Sequence, residues 1–133
     1  MILSALKENN KNETRVSITP ESVKLFSRLG FEVIIEKGAG ELSGYQDTNY
    51  TDMGAKIGTR NDCLNANVSL CVRMPDTDDI KNLKINSTLI GILNPYENKP
   101  KFVDLNSKNI SSCCMELIPR ISRAQSMDVL SSQ

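Results

Sequence analysis

The sequence predicts an α/β fold built on a doubly wound parallel sheet. Short apolar, β-branched runs alternate along the chain with stretches of helical periodicity. The connections between them are short, which favours crossovers that return each strand parallel to the last. With 133 residues, 39% of them apolar, the chain has enough material for one domain with a true core.

The elements follow in order. Ile2-Leu3 lies in the first strand. Thr19 caps a helix whose first turn holds Pro20 and Glu21. Val23, Phe26 and Leu29 form its apolar stripe, and Gly30 ends it. Phe31 to Glu36 reads as a β-branched strand. Asp47 to Met53 reads as a helix, and Lys56-Ile57 marks a short strand. Arg60 to Leu64 offers one helical turn. Val68 to Val72 is a buried strand stopped by Pro75, and Thr77 to Leu83 is helical. Thr88 to Leu93 is another buried strand, ended by Asn94-Pro95. Pro100 to Asn106 is helical, and Ile110 to Met115 supplies the next strand. Ser122 with Gln125 three residues on is a capping-box pattern, so a last helix starts near Ser122. No Gly, Asn or Pro closes that helix, which suggests a protein that continues past residue 133. There is no internal repeat.

Composition narrows the function classes. Lys and Arg total 16, as do Asp and Glu. Such a balance makes no electrostatic case for nucleic acid or an anionic membrane surface. The longest apolar runs, Val33-Ile-Ile35 and Leu89-Ile-Gly-Ile-Leu93, are far too short to span a bilayer. Lys7 and Glu8 arrive before any apolar leader develops, so a cytoplasmic location is expected. Cys63, Cys71, Cys113 and Cys114 form no C-x-x-C pair, and the chain has no His. They read as reduced, mostly buried thiols and not as a zinc site. The Asn-x-Ser/Thr triplets at Asn12, Asn49, Asn67, Asn86 and Asn109 reflect an Asn-rich composition. Asp76-Thr-Asp-Asp79 has metal-like composition without an EF-hand frame, and reads as a solvated, acidic helix start.

Gly38-Ala-Gly40 follows a strand, with Gly44 beyond it. The spacing is one residue too long for a dinucleotide fingerprint and no helix start follows, so the glycines read as a turn that needs positive φ.

Pro119-Arg-Ile-Ser-Arg-Ala-Gln-Ser-Met-Asp128 resembles the loop and helix start in the NAD(H)-binding component of proton-translocating NAD(P) transhydrogenases. Asn12-Glu-Thr-Arg-Val16, Thr19-Pro20, Leu29-Gly-Phe-Glu-Val33 and Glu36-Lys-Gly-Ala-Gly40 fall in the same family's order, and these are shared with alanine dehydrogenases. The resemblance covers essentially the whole chain. It implies a flavodoxin-like three-layer fold that forms the N-terminal part of a two-domain unit. Residues 1–119 would be that N-terminal domain, and 120–133 the start of a helix leading to a dinucleotide-binding domain that lies outside this chain.

Function follows from the resemblance as an expectation. The family transfers hydride between NAD(H) and NADP(H), coupled to proton translocation. The implied partners are an NADP(H)-binding domain, a membrane domain and a second copy in a homodimer, on the cytoplasmic side of the membrane. NAD(H) would be gripped mainly by the missing domain, so the fragment alone is expected to be inactive. Arg120, Gln125 and Asp128 match the residues that pack by the nicotinamide, and Ser131, with Ser132 as the alternative, lies one turn further on. An amide can bond the carboxamide or a ribose hydroxyl, and Arg and Asp can hold each other in one rotamer. Gln125 has a second reading, as the closing half of the capping box with Ser122. No directly catalytic residue and no metal ligand is expected.

Two positions depart from the alanine dehydrogenases. Their catalytic His falls in the stretch that here reads Asn94-Pro-Tyr-Glu97, and their Lys falls at Arg73. Arg cannot release a proton near neutral pH, so amino-acid oxidation is disfavoured. Hydride transfer between two nicotinamides needs approach, orientation and dryness but no acid or base. Arg15 matches a carboxylate-binding Arg of the alanine dehydrogenases. Without that substrate it is expected to be structural, paired to Glu13 or to a strand-end carbonyl. The alternatives are an alanine-dehydrogenase-like enzyme and a non-enzymatic domain that kept the fold.

Overall fold

The computed structural model describes residues 1–117. Six strands form one sheet: β1 (Ile2–Ala5), β2 (Glu32–Glu36), β3 (Lys56–Gly58), β4 (Val68–Arg73), β5 (Thr88–Ile92) and β6 (Ser111–Cys114). Every pairing is parallel, in the order β3-β2-β1-β4-β5-β6. Without the three-residue edge strand β3, this is the flavodoxin-like 2-1-3-4-5 order; with it, the order matches that of dinucleotide-binding sheets. The chain direction across the sheet reverses between β1 and β4, so a crevice opens beyond their C-terminal ends.

Local chemistry explains the helices. Thr19 adopts extended backbone and its hydroxyl accepts from the N–H of Ser22, with Pro20 at the first helical position of α1 (Pro20–Arg28). Gly30 follows it in the left-handed region at φ 96°. α2 (Asp47–Thr51) starts with a Gln46–Asn49 box, and α3 (Arg60–Leu64) with a Thr59–Asp62 box, so neither short helix depends on propensity alone. α4 (Thr77–Asn82) and α5 (Lys99–Ser107) complete the set.

The helices divide between the two faces of the sheet. Val23 of α1 and Tyr50 of α2 pack with Leu3, Val33 and Ile35 on one face. Cys63 and Leu64 of α3, Ile80 of α4 and Leu105 of α5 pack with Leu89 and Leu93 on the other. Gly91 on β5 leaves room for β4, because a Cβ there would lie 2.5 Å from the Cys71 carbonyl oxygen.

Two expectations are adjusted. Cys63 and Cys71 are buried as expected, but Cys113 is exposed, because β6 is an edge strand. The Gly38-Ala-Gly40 turn uses its glycines differently. Gly38 takes positive φ at 77°, whereas Gly40 does not and is needed for space, since a Cβ would sit 2.8 Å from the Tyr50 ring.

Candidate functional site at the strand reversal

One cavity occupies the crevice beyond β1 and β4, and a second lies beside it, between the loop after β1 and the turn after β2. The larger, about 290 Å³, is lined by Glu8, Arg60 and Arg73 among others. The smaller, about 160 Å³, is lined by Glu8, Glu13, Arg15 and Gly38 among others. The loop that follows β1 supplies Lys7 and Glu8 to both.

Glu13 is the centre of the site. Its side chain is 4% exposed, yet it carries two guanidiniums that are more than half exposed. Arg15 donates from Nε at 2.8 Å and Nη2 at 2.9 Å, and Arg73 donates from Nε at 2.7 Å. The backbone N–H of Arg15 adds a fourth bond at 3.0 Å. These donors, Arg15 first, hold the Glu13 carboxyl down at about 2 against the cost of burial. Arg15 is therefore paired to Glu13, as its structural reading required, and the same carboxylate fixes Arg73. The result is a preorganised cationic pair whose guanidiniums stay partly open to solvent.

Because the folded Glu13 pKa lies below its unfolded value, its contribution to stability is full above about 4.5 and is lost as pH falls toward about 2. Urea unfolding across that interval should show this loss in the native chain and a flatter profile in Glu13→Gln. Identical slopes would refute the assignment.

A second network lies deeper. Arg60 donates from Nε and Nη2 to the two oxygens of Asp79, at 2.9 and 2.6 Å. Its Nη1 reaches Glu36 at 2.7 Å and the Lys7 carbonyl at 2.9 Å. The Arg60 guanidinium holds the Asp79 carboxyl below the usual range. The reading of Asp76 to Asp79 as a solvated helix start holds for Asp76 and Asp78, which are exposed at the start of α4, and is corrected for Asp79. Asp79 is buried and belongs to the core-side ion network, because α4 turns that side chain toward α3.

Carboxylates also pin the strand ends. Glu8 accepts from the N–H groups of Val72 and Arg73 at 2.8 and 2.9 Å, where the β4–β5 register shifts. Glu116 accepts from Leu93 and Asn94 at 3.3 and 2.7 Å. Asn94, with φ 50°, follows the end of β5 and lines neither cavity. Sequence reasoning missed Glu8, Glu36, Arg60 and Glu116. Their only signal was an acid at or just past a strand, or a base opening a short helix.

The four residues expected at the nicotinamide, Arg120, Gln125, Asp128 and Ser131, lie outside the described residues. Among the described residues no cluster of three metal-ligating side chains occurs. No phosphate cradle forms at Gly38 either, since its N–H is spent on Asp47 at 2.9 Å. No described helix is long and apolar enough to cross a membrane.

Comparison with known proteins identifies the domain. Residues 4–133 match the family described as alanine dehydrogenase/PNT, N-terminal domain. The chain is 34% identical over 99% of its length to NAD(P) transhydrogenase subunit alpha of Haemophilus influenzae, spanning 26% of that protein. It is 28% identical to alanine dehydrogenase 1 of Staphylococcus aureus, spanning 36% of it. A transhydrogenase structure from Sinorhizobium meliloti superposes with TM-score 0.93 at 42% identity, over 99% of this chain and 40% of that one. An L-alanine dehydrogenase shares the fold at TM-score 0.81 and 23% identity. The chain thus spans well under half the length of the relatives it matches. The family match, the sequence identity and the fold agree, and the chain belongs to the alanine dehydrogenase/PNT N-terminal domain family.

Proposed function

We propose that this domain is the N-terminal part of the NAD(H)-binding alpha subunit of a proton-translocating NAD(P) transhydrogenase, forming one wall of the cleft where hydride passes between NAD(H) and NADP(H). The observation that carries the reading is the make-up of the strand-reversal crevice. Its lining holds Arg73 where amino-acid oxidation would need a group that exchanges protons near neutral pH, and Arg73 is locked onto Glu13. The greater identity to a transhydrogenase alpha subunit than to an alanine dehydrogenase points the same way.

Bound NAD(H) would supply the hydride. The described residues offer it a crevice wall and no pyrophosphate grip, so the gripping domain is assigned to polypeptide outside this chain. Residues 1–119 are the N-terminal domain in this reading, and 120–133 lead toward the next. Arg120, Gln125, Asp128 and Ser131 would contact the nicotinamide end, orienting it and excluding water. The partners are a second copy, an NADP(H)-binding domain and a membrane domain, with this domain peripheral on the cytoplasmic side.

The test uses the complete subunit with its partner domains. Gln125→Ala and Asp128→Ala should each lower hydride transfer from NADH to an NADP⁺ analogue by about 100-fold, the scale on which misplaced reactants lose rate. Pyruvate and ammonia should support no NADH oxidation. Robust pyruvate-dependent oxidation would favour an alanine-dehydrogenase-like enzyme, and absence of both activities would favour a non-enzymatic domain.

A further inference from the structure

Among the described residues β6 is an edge strand, so the chain that leaves it is free to turn outward or back across the sheet. The ladder between β5 and β6 ends at the Gly91–Cys114 pair. Past that pair, the Glu116 carboxylate takes the backbone N–H groups of Leu93 and Asn94, one on each oxygen, at 3.3 and 2.7 Å. The carbonyls of the same two residues accept from the Asn98 side-chain amide at 2.8 and 3.1 Å. With its N–H and C=O groups all paired, the end of β5 is a firm point to hold. Apolar burial holds the turn after β6 only weakly, since Met115 and Leu117 on either side of Glu116 are 44% and 57% exposed.

This tie has a direction. From the edge strand it points inward, to the strand beside β4, and so toward the crevice at the ends of β1 and β4. Glu8 makes the matching connection from the other side, from the exit of β1 to the N–H groups at the end of β4. Neighbouring strands lie about 4.8 Å apart, so β4 and β1 stand roughly 5 and 10 Å from β5. Arg120 follows Glu116 by four residues, a span of at most about 14 Å. Fastened at Glu116, the chain can carry Arg120 over the crevice. Without that tie the same chain is free to leave the sheet edge outward.

We propose that Glu116 is a positioning residue: by tying the exit of β6 to the end of β5, it aims the segment from Arg120 to Asp128 at the nicotinamide end of the cleft. This rests on the reading of that segment given under the proposed function. Glu116 touches neither substrate nor cofactor, and no covalent bond is made or broken at it. It acts through Gln125 and Asp128, whose usefulness depends on where the chain that carries them leaves the sheet. A Gln in its place offers one acceptor oxygen and turns an NH2 toward the second N–H, so it keeps one bond of the two.

The test uses the complete subunit with its partner domains. Glu116→Ala should slow hydride transfer from NADH to an NADP⁺ analogue by at least about 10-fold, toward the roughly 100-fold that a 1 Å misplacement costs. Affinity for NADH should stay within about twofold of native, since uniform binding is untouched. Glu116→Gln should fall between Glu116→Ala and native. A mutant cycle against the paired change Gln125→Ala with Asp128→Ala separates positioning from general support of the fold. A residue that acts through those two has little left to lose once both are gone, so adding Glu116→Ala should hardly slow the paired variant further. Losses that multiply would overturn the proposal, as would a Glu116→Ala rate within about twofold of native. If Glu116→Ala does not fold, Glu116→Gln in the same cycle decides. Should Gln125→Ala and Asp128→Ala also leave transfer unchanged, the reading of the segment falls and this role falls with it. Should they slow transfer while Glu116→Ala does not, the role of Glu116 alone falls.

Discussion

Replacing Arg60 by Ala is expected to cost about 3–5 kcal/mol at neutral pH, the range found when one partner of a buried ion pair is removed. The side chains of Arg60, Glu36 and Asp79 are 24%, 12% and 12% exposed, so water takes over the lost bonds only in part. The substitution also frees the Lys7 carbonyl and unties α3 from α4 and from the end of β2. The pH dependence should change sign. In the native chain the Asp79 contribution is full above its unfolded pKa and is lost as pH falls through the depressed value. Without Arg60 the buried Asp79 charge is uncompensated, so acidification should restore part of the loss by neutralising it. Urea unfolding at pH 7 and near pH 4 reads both effects. A loss below about 1 kcal/mol at pH 7 would place this network with exposed pairs.

Tyr50→Ala should cost a similar amount, about 3–5 kcal/mol, by the cavity it leaves. Tyr50 is fully buried and is among the largest residues of the core beneath α1 and α2. Its hydroxyl donates to the Ile18 carbonyl at 2.7 Å, and its ring meets Tyr45 edge-on at 6.2 Å. Tyr50→Phe keeps the volume and orphans one buried carbonyl, so it should cost about 1–3 kcal/mol. A Cβ at Gly40 would meet this ring at 2.8 Å and the Tyr45 Cβ at 2.9 Å, which makes Gly40→Ala and Tyr50→Ala neighbours. The double variant should be less destabilised than the sum of the two singles. Strict additivity in thermal unfolding would show that Gly40 does not meet the ring.

Much of the fold was legible from residue order. The alternation of β-branched runs with capped helical stretches located every strand and helix of the described residues to within two residues at either end. Thr19 and Pro20 announced α1 because capping is chemistry between near neighbours. The three-residue turns at Glu41–Ser43 and Met115–Leu117 went unread, since neither carries a periodic pattern.

The site was legible only in pieces. Arg15 with Glu13 is a pairing two residues apart, which proximity in sequence makes readable. Arg73 joins them from 60 residues away and Asp79 meets Arg60 from 19. No local rule tells a solvated aspartate from one that a distant arginine buries. The Gly38-Ala-Gly40 turn makes the same point, because the reason for Gly40 is a ring contributed by α2.

By itself, the sequence determined the α/β class, the parallel sheet and the family, since periodicity, caps and motif order are properties of neighbouring residues. The tertiary structure alone decided which charges share a carboxylate, which aspartate is buried, and that Glu8 stands between two cavities. Those outcomes depend on strand order, which brings the ends of β1 and β4 side by side and sets the dielectric around each group.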